Sequence, residues 1–299
     1  MPELPEVEHA AGSLRRFLAG AVVERAEAEP TRVFRGTDRG AFERDLAGTR
    51  LARVDRYGKY LTLVFCPASA ARGRSGPKGE VGLLSHLGMS GKWVFRRPGE
   101  PAPSHSRARI HLRGGGVIHY HDPRLFGRIA VMPAAELGEL PELQELGPDA
   151  LRDGVSIDHL AAACARSSRP VKVVLMDQAV IAGLGNIYAT DVLFRARVHP
   201  ARPARELSRP EVRALARAIK VTIARALALT AGDEDQEIDY LSESPGDEAR
   251  FLIYGRAGEP CSRCRTIVEK LELGGRTSAY CPGCQQIAGR SAPGRARSR

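Results

Sequence analysis

The first residues of the chain place a potential nucleophile beside carboxyl groups. The sequence opens Met1-Pro2-Glu3-Leu4-Pro5-Glu6-Val7-Glu8. If Met1 is removed, the chain starts with the secondary amine of a proline, and an α-amino group titrates near pH 8, about two units below a lysine side chain. Such an amine suits attack on carbon and Schiff-base chemistry. Glu3 and Glu6 would supply acid–base groups within a few residues of it.

A second interpretation of the same residues is purely structural. Prolines at positions 2 and 5 suit the first turn of a helix, and carboxylates there stabilise its positive end. Residues 5–18 have helical periodicity, with Val7, Leu14 and Leu18 on one face. The opening residues alone leave both interpretations open.

Four cysteines form a metal-binding pattern near the end of the chain. They are arranged as Cys261-x2-Cys264-x16-Cys281-x2-Cys284. Two CxxC turns at this spacing can close a tetrahedral four-sulfur site, which favours zinc over an iron site or two disulfides. Because four thiolates leave no open coordination position, the sequence predicts one structural zinc.

Two further segments offer groups that could bind an anion. Residues 170–178 read as one helix, and a second helix begins at Asn186, directly after Gly183-Leu184-Gly185. Backbone N–H groups at such a helix start face outward and suit a phosphate. The same GxGN pattern also fits an ordinary turn with an Asn cap. Arg276, on the turn between the two cysteine pairs, is the residue that a zinc finger would present.

Two glycine-flanked turns carry side chains that are poorly placed to join a hydrophobic core. Met89 lies in the motif HLGMSG, and Arg124 and Phe126 lie in DPRLFG. A Met and a Phe exposed on turns could act as wedges between base pairs. Burial of Met89 and Phe126 is the simpler alternative, and Lys59, at the mouth of a strand, reads by itself as a solvated lysine.

Composition limits the class of partner. The 299 residues include 45 Lys plus Arg against 35 Asp plus Glu, a net charge of +10. This balance favours a polyanionic partner, although charge alone does not separate DNA, RNA and an anionic membrane. The sequence has no apolar run long enough to cross a bilayer and no signal-peptide layout, so we expect a cytoplasmic protein.

The chain is too long for one core, and its patterning changes along its length. It predicts a mostly antiparallel β domain with an N-terminal helix, a helical domain, a polar linker, the cysteine module and a basic disordered tail. These segments cover residues 2–133, 150–232, 233–254, 255–284 and 285–299. Within the first, residues 67–80 look like a flexible hairpin insertion.

Seven motifs, taken in order, resemble the formamidopyrimidine-DNA glycosylase / endonuclease VIII family, and most closely its formamidopyrimidine-DNA glycosylase branch. They are PELPEVE, GKYL, HLGMSG, DPRxFG, GxGNIYA with LFxAxVHP, YGRxGxPC and the second CxxC, and they extend over residues 2–284. The resemblance implies an α+β multidomain fold with an N-terminal helix and antiparallel β-sandwich, a helix–two-turns–helix domain, and a C-terminal four-cysteine zinc-finger hairpin. It also implies a monomer that repairs damaged double-stranded DNA in a bacterial nucleoid, with no membrane partner.

The resemblance assigns a reaction to the residues at the start of the chain. Pro2 would attack C1′ of a flipped-out damaged nucleotide, and Glu3 would protonate the oxygen of the sugar ring. Glu6 would support this pocket, and Lys59 would contact phosphate or the damaged nucleoside. Successive β- and δ-elimination would then cut the strand on both sides of the sugar.

A second set of residues would bind the DNA around the lesion. Met89, Arg124 and Phe126 would fill the gap left by the flipped base, with Arg124 facing the orphaned partner base. Three others would bind phosphates of a bent duplex: Lys172, Asn186 and Arg276.

Three departures from the family pattern limit what the resemblance implies, and the third bears on substrate choice. Asp191 stands where the family usually has a Glu, and Leu125 replaces a usual Arg or Lys. Residues 242–250 are acidic where the formamidopyrimidine branch usually has a Gly-rich, aromatic-containing loop. We expect 8-oxoguanine and formamidopyrimidines as substrates, with an endonuclease VIII-like preference for oxidised pyrimidines as the alternative. A DNA-binding paralogue without catalysis is a third hypothesis.

Overall fold

The computed structural model describes residues 2–68, 79–230 and 251–287. The chain divides into two compact units, Met1–Glu145 with Thr230–Leu241, and Leu146–Leu229 with Ser242–Arg299. The predicted insertion at 67–80, the linker up to residue 250 and the basic tail fall largely or wholly outside the described residues. Among the helices that are described, none is long and apolar enough to span a bilayer.

Within the described residues, the first unit contains three helices and eight strands. The helices are α1 (Leu4–Phe17), α2 (Arg39–Leu46) and α3 (Pro141–Gln144), and short 3-10 turns lie at Arg32–Phe34 and Ala134–Glu139. The strands are β1 (Val23–Ala28), β2 (Thr49–Tyr57), β3 (Tyr60–Pro67), β4 (Val81–His86), β5 (Lys92–Arg96), β6 (Ser106–Leu112), β7 (Val117–His121) and β8 (Arg128–Pro133).

These strands form two antiparallel four-stranded sheets, in the orders β1-β6-β7-β5 and β2-β3-β4-β8. Side chains from both sheets and from α1 share one hydrophobic core, to which Leu14, Leu61 and Ile110 contribute fully buried side chains. Strand β6 alternates buried and half-buried residues along its whole length, as expected for a sheet with one face on the core. The predicted α+β class with a helix and a β-sandwich is confirmed.

Helix α1 is fixed in position because its apolar face packs against this core. Val7 and Ala11 are fully buried, Leu14 is nearly so, and Phe17 stacks on Phe95 of β5 with ring centroids 4.8 Å apart. The helix was expected at residues 5–18 and is observed one residue earlier. Burial along most of its length fixes where its first turn can lie.

The second unit contains the helices α4 (Ile157–Ala165), α5 (Val171–Met176), α6 (Asn186–Ala196) and α7 (Arg209–Thr230), followed by a hairpin of β9 (Glu269–Leu273) and β10 (Arg276–Tyr280). Helix α7 begins directly after Ser208, where the Glu211 carboxylate accepts both the N–H and the hydroxyl of Ser208 at 2.7 Å and so caps the helix. The turn of the hairpin has two glycines with φ of 56° and 70°, Gly274 and Gly275, as a type I′ turn requires.

Asp191 joins helix α6 to the segment that precedes the cysteine module. Its carboxylate accepts the backbone N–H groups of Leu252, Ile253 and Tyr254 at 2.7, 3.1 and 3.1 Å. Asp191 is 3% exposed. Burial raises the pKa of this carboxyl group, and the three N–H donors oppose that rise by favouring the charged form. The departure from the family's Glu therefore leaves a well-bonded carboxylate that anchors residues 252–254.

Replacing Asp191 by Ala should destabilise the second unit by about 2–4 kcal/mol, because three largely enclosed N–H groups lose their acceptor. Urea unfolding followed by circular dichroism measures the change. Asp158→Ala is the matched control, since the Asp158 side chain is 79% exposed and pairs with Arg209 at the surface. Equal stability of the two variants would contradict the anchoring role.

Candidate functional site

The start of α1 buries two carboxyl groups next to Pro2. Glu3 is fully buried, Glu6 is 5% exposed, and Pro2 is buried as well. The Glu6 carboxylate accepts the backbone N–H of Glu3 at 2.9 Å, and the positive end of the helix favours negative charge at this place. Acidic side chains are rarely buried without such partners. The structure thus brings together three of the predicted residues, while Met1 lies outside the described part of the chain.

Lys59 lies on the two-residue turn between β2 and β3. Gly58 precedes it with φ of 58°, the sign that a type II′ turn requires at its first position. The side chain of Arg56, 2% exposed, donates from Nη1 to the Gly58 carbonyl at 3.0 Å and from Nε to the Glu8 carboxylate at 2.6 Å. One guanidinium therefore connects helix α1 to the turn that carries Lys59.

Arg56 and His86 are residues of this region to which sequence reasoning gave no role. Burial, with the nearby charge of Lys59 second, lowers the pKa of His86 to about 4, so its imidazole is neutral at pH 7. The Nδ1 atom of His86 accepts the Gly88 N–H at 3.1 Å. Two features of the sequence could have pointed to these residues: an arginine close to the GKYL motif and a histidine at the start of the HLGMSG motif.

The turn at residues 86–91 packs directly against the loop at residues 122–127. Gly88 has φ of 63°, and a Cβ atom there would lie 2.4 Å from the carbonyl carbon of Phe126. A Cβ atom on Gly91 would lie 2.4 Å from the Tyr120 hydroxyl oxygen. Glycine at position 88 is thus required for the two backbones to approach, which brings the next residue, Met89, close to the loop of Arg124 and Phe126. Glycine at position 91 leaves room for the Tyr120 side chain.

Asp122 organises the second of these loops. Its Oδ1 accepts the Ser90 hydroxyl at 2.8 Å and the Arg124 N–H at 3.2 Å, and its Oδ2 accepts the Gly127 N–H at 2.8 Å. Asp122 is fully buried. It therefore ties the two loops together and shapes the one that carries the gap-filling candidates.

The side chains at the tips of these loops face outward. Phe126 is 42% exposed, Arg124 is exposed, and Met89 is half-buried. The Arg124 guanidinium carbon lies 5.1 Å from the centroid of the Phe126 ring, within cation–π range. An exposed fraction of 42% rules out the alternative that Phe126 is simply a buried core residue.

Leu125, between them, has φ of 57°, and a bulky residue in this left-handed region costs about 1–3 kcal/mol. Its side chain packs against the core of the first unit. The loop therefore adopts a conformation that its surroundings must hold.

In the second unit, Lys172 and Asn186 meet at the zinc-finger hairpin. Lys172 is fully buried, and its ammonium donates to Asn186 Oδ1 at 2.6 Å, to the Thr277 carbonyl at 3.1 Å and to the Ser278 hydroxyl. Asn186 is the first residue of α6 and is half-buried. The ammonium thus joins α5, α6 and β10, and direct phosphate contact by Lys172 stays a prediction.

Arg276 begins strand β10 and is exposed, directly after the Gly274–Gly275 turn. Its Nη1 atom lies 3.5 Å from the Gly274 carbonyl oxygen. The structure places this side chain at the tip of the hairpin, as the sequence predicts for the residue that the finger presents.

The four cysteine sulfurs form one cluster, with all four atoms within 4.8 Å of one another. Four sulfurs at about 2.3 Å from one zinc lie about 3.8 Å apart when the site is tetrahedral. The observed separations of 3.9 Å for Cys261–Cys284 and 3.4 Å for Cys264–Cys281 fit such a site and are far beyond a disulfide bond. The cluster holds one structural zinc.

Cys281→Ser should remove the zinc, because a hydroxyl is a poor replacement for a buried thiolate ligand. We expect the content to fall from about one zinc per chain to a small fraction of that, with loss of the β9–β10 hairpin. Elemental analysis of purified protein measures the metal. Cys66→Ser, a half-buried cysteine of β3 outside the cluster, is the control; full zinc in Cys281→Ser would contradict the four-sulfur site.

Three family models match the chain in succession. The formamidopyrimidine-DNA glycosylase N-terminal domain matches residues 1–129, and the formamidopyrimidine-DNA glycosylase H2TH domain matches residues 146–236. The zinc finger found in FPG and IleRS matches residues 258–287.

Curated relatives match over nearly the full length. The formamidopyrimidine-DNA glycosylase of Thermus thermophilus is 37% identical over 287 residues, covering 95% of this chain and 98% of the relative. That of Lactiplantibacillus plantarum is 32% identical over 291 residues, covering 96% of this chain and all of the relative.

Solved structures share the fold. The MutM (Fpg) protein from Thermus thermophilus superposes with a TM-score of 0.76 at 36% identity, covering 95% of this chain and 98% of that chain. A Lactococcus lactis enzyme non-covalently bound to DNA with an AP site gives 0.81 at 26% identity, covering 95% and 100%. A complex of that enzyme with DNA containing an oxidised pyrimidine gives 0.82 at 26% identity, covering 96% and 100%.

Proposed function

Because the chain belongs to the formamidopyrimidine-DNA glycosylase family, we propose that its Pro2 amine performs the chemistry of a base-excision-repair enzyme. The protein is a DNA glycosylase/AP lyase that acts on damaged double-stranded DNA and carries one structural zinc. The observation that supports the assignment to Pro2 most directly is the buried start of α1, where two carboxyl groups surround the residue that becomes the terminus once Met1 is removed.

The proposed reaction begins with attack of the Pro2 nitrogen on C1′ of the flipped-out nucleotide. The bond from C1′ to the base breaks, and its electron pair leaves with the base. The C1′–O4′ bond then breaks, O4′ takes a proton from Glu3, and loss of the proton from the Pro2 nitrogen gives an iminium ion. β-Elimination and δ-elimination from this intermediate release the two phosphates in turn.

The surroundings of Pro2 suit this sequence of steps. Glu3 is fully enclosed and directly follows Pro2 in the chain, which keeps the proposed general acid close to the nucleophile and away from solvent. Glu6 holds the Glu3 backbone N–H and so fixes the residue that carries the acid. Lys59, on its short turn beside the neutral His86, would contact phosphate or the damaged nucleoside.

We propose that DNA binding divides between the two units. In the first, Met89, Arg124 and Phe126 would fill the gap left by the flipped base, supported by the exposure of Arg124 and Phe126 and by the packing of the two loops that carry all three residues. In the second, Asn186 and Arg276 would bind phosphates, supported by the buried Lys172 ammonium that connects α6 to the finger.

We also propose that the protein works as a monomer on the chromosome in the bacterial cytoplasm. The curated relatives named above come from bacteria. A net charge of +10 favours association with a polyanion such as the nucleoid.

Borohydride should trap a covalent complex between the protein and a duplex containing an abasic site, because the iminium can be reduced to a stable amine. Pro2→Gly, which keeps a terminal amine but loses the ring, should reduce trapping at least about tenfold. Gel electrophoresis of the adduct measures the yield.

Two controls accompany this trapping experiment. Intact mass must first show that Met1 is absent, and Pro5→Gly serves as a matched change within the same turn. Wild-type protein that lacks Met1, binds the duplex and forms no adduct with any lesion would instead support the DNA-binding paralogue without catalysis.

The preferred lesion is proposed to be 8-oxoguanine or a formamidopyrimidine. The PELPEVE start favours this choice, whereas the acidic stretch at 242–250 and the oxidised-pyrimidine complex of the Lactococcus lactis enzyme keep oxidised pyrimidines as the alternative.

Excision rates on duplexes with 8-oxoguanine, a formamidopyrimidine, thymine glycol or 5-hydroxycytosine, each opposite all four bases, test the preference. We expect kcat/KM to be at least about tenfold higher for the two purine lesions, which corresponds to about 1.4 kcal/mol of transition-state stabilisation. Equal or higher rates on the pyrimidine lesions would reverse the assignment.

A further inference from the structure

Arg32 contacts the loop of the gap-filling candidates from a distant part of the sequence. It lies on the 3-10 turn Arg32–Phe34 of the first unit. Its Nε donates to the Leu125 carbonyl at 2.8 Å, and its Nη2 donates to the Arg124 carbonyl at 2.9 Å. Its guanidinium carbon also lies 5.0 Å from the centroid of the Phe126 ring. One planar side chain therefore engages three successive residues.

These contacts complete a frame around a strained backbone. The Asp122 carboxylate accepts the backbone N–H groups of two residues of the loop, Arg124 and Gly127. Arg32 donates to two backbone carbonyl groups of the same loop, and the Leu125 side chain packs against the core. Because Leu125 has φ of 57°, release of one support would let the backbone return to more favourable conformations.

We propose that Arg32 is a positioning residue that presets Arg124 and Phe126 for gap filling and for reading the base opposite the lesion. This inference rests on the proposed roles of those two residues. Arg32 places a guanidinium on the same loop from another segment, while Leu125 is left to pack inward.

A simpler role for Arg32 would be that of an exposed cation attracting phosphate. The two roles require different properties of the side chain. A phosphate attraction needs only the positive charge, whereas the double carbonyl contact and the ring contact need the planar fork of arginine. Lysine retains the first property and loses the second.

The test compares Arg32→Lys and Arg32→Gln with wild type on 8-oxoguanine opposite cytosine and opposite adenine. If Arg32 positions the loop, both variants should lose about tenfold in the cytosine-over-adenine ratio of kcat/KM, since a small misplacement of contacting groups is costly. Arg39→Lys is the matched control, because Arg39 donates to one carbonyl, that of Ala28, away from the loop. Its ratio should remain at the wild-type value.

A second readout separates loop order from catalysis. In a duplex with a tetrahydrofuran abasic analogue opposite 2-aminopurine, insertion of the gap-filling side chains should unstack the fluorophore and raise its emission. At saturating protein, Arg32→Lys should give a smaller rise in emission than wild type, and Phe126→Ala should give the smallest rise. Thermal unfolding checks that each variant is folded.

The outcomes separate this inference from the proposed function. If Arg32→Lys has the wild-type cytosine-over-adenine ratio of kcat/KM and the wild-type rise in 2-aminopurine emission, the positioning role is wrong. This holds whether or not Arg32→Gln is defective. If wild-type protein fails to form the borohydride adduct, the catalytic assignment of Pro2 fails, while the fluorescence comparison still tests Arg32. If Phe126→Ala matches wild type in fluorescence, the gap-filling role on which the inference rests is wrong.

Discussion

The packing of helix α1 against the core formed by both sheets is the constraint on which the first unit depends. Val7 and Ala11 are fully enclosed by the core, so the helix cannot slide or rotate without exposing apolar surface. Its first turn, with Pro2, Glu3 and Glu6, is therefore held by hydrophobic packing that lies behind it. A terminus of a protein chain usually frays, and here the same terminus is the end of a core element.

Polar contacts then transfer this rigidity to the loops around the start of α1. Arg56 connects Glu8 of the helix to the turn of Lys59. Gly88 allows one loop to touch another, and Asp122 and Arg32 define the shape of the second loop. The groups proposed for chemistry and for gap filling are thus short extensions of strands and a helix, which is how an active site obtains precise geometry.

Local features of the sequence were sufficient to predict several elements. Helical periodicity placed α1 within one residue, and the CxxC spacing identified the zinc site. The contacts that could not be predicted are those that join distant segments. Arg32 and Leu125 are 93 residues apart, and Lys172 and Thr277 are 105 residues apart. No pattern within either segment specifies its partner, because tertiary packing brings them together.

The buried ammonium of Lys172 makes the order of the metal site and that of helix α6 thermodynamically dependent on each other. Two of its acceptors, the Thr277 carbonyl and the Ser278 hydroxyl, belong to the finger, and a third belongs to Asn186. An ammonium inside protein is costly unless its donors are satisfied. Loss of the zinc would thus be felt at the first residue of α6, far along the sequence from the four cysteines of the cluster.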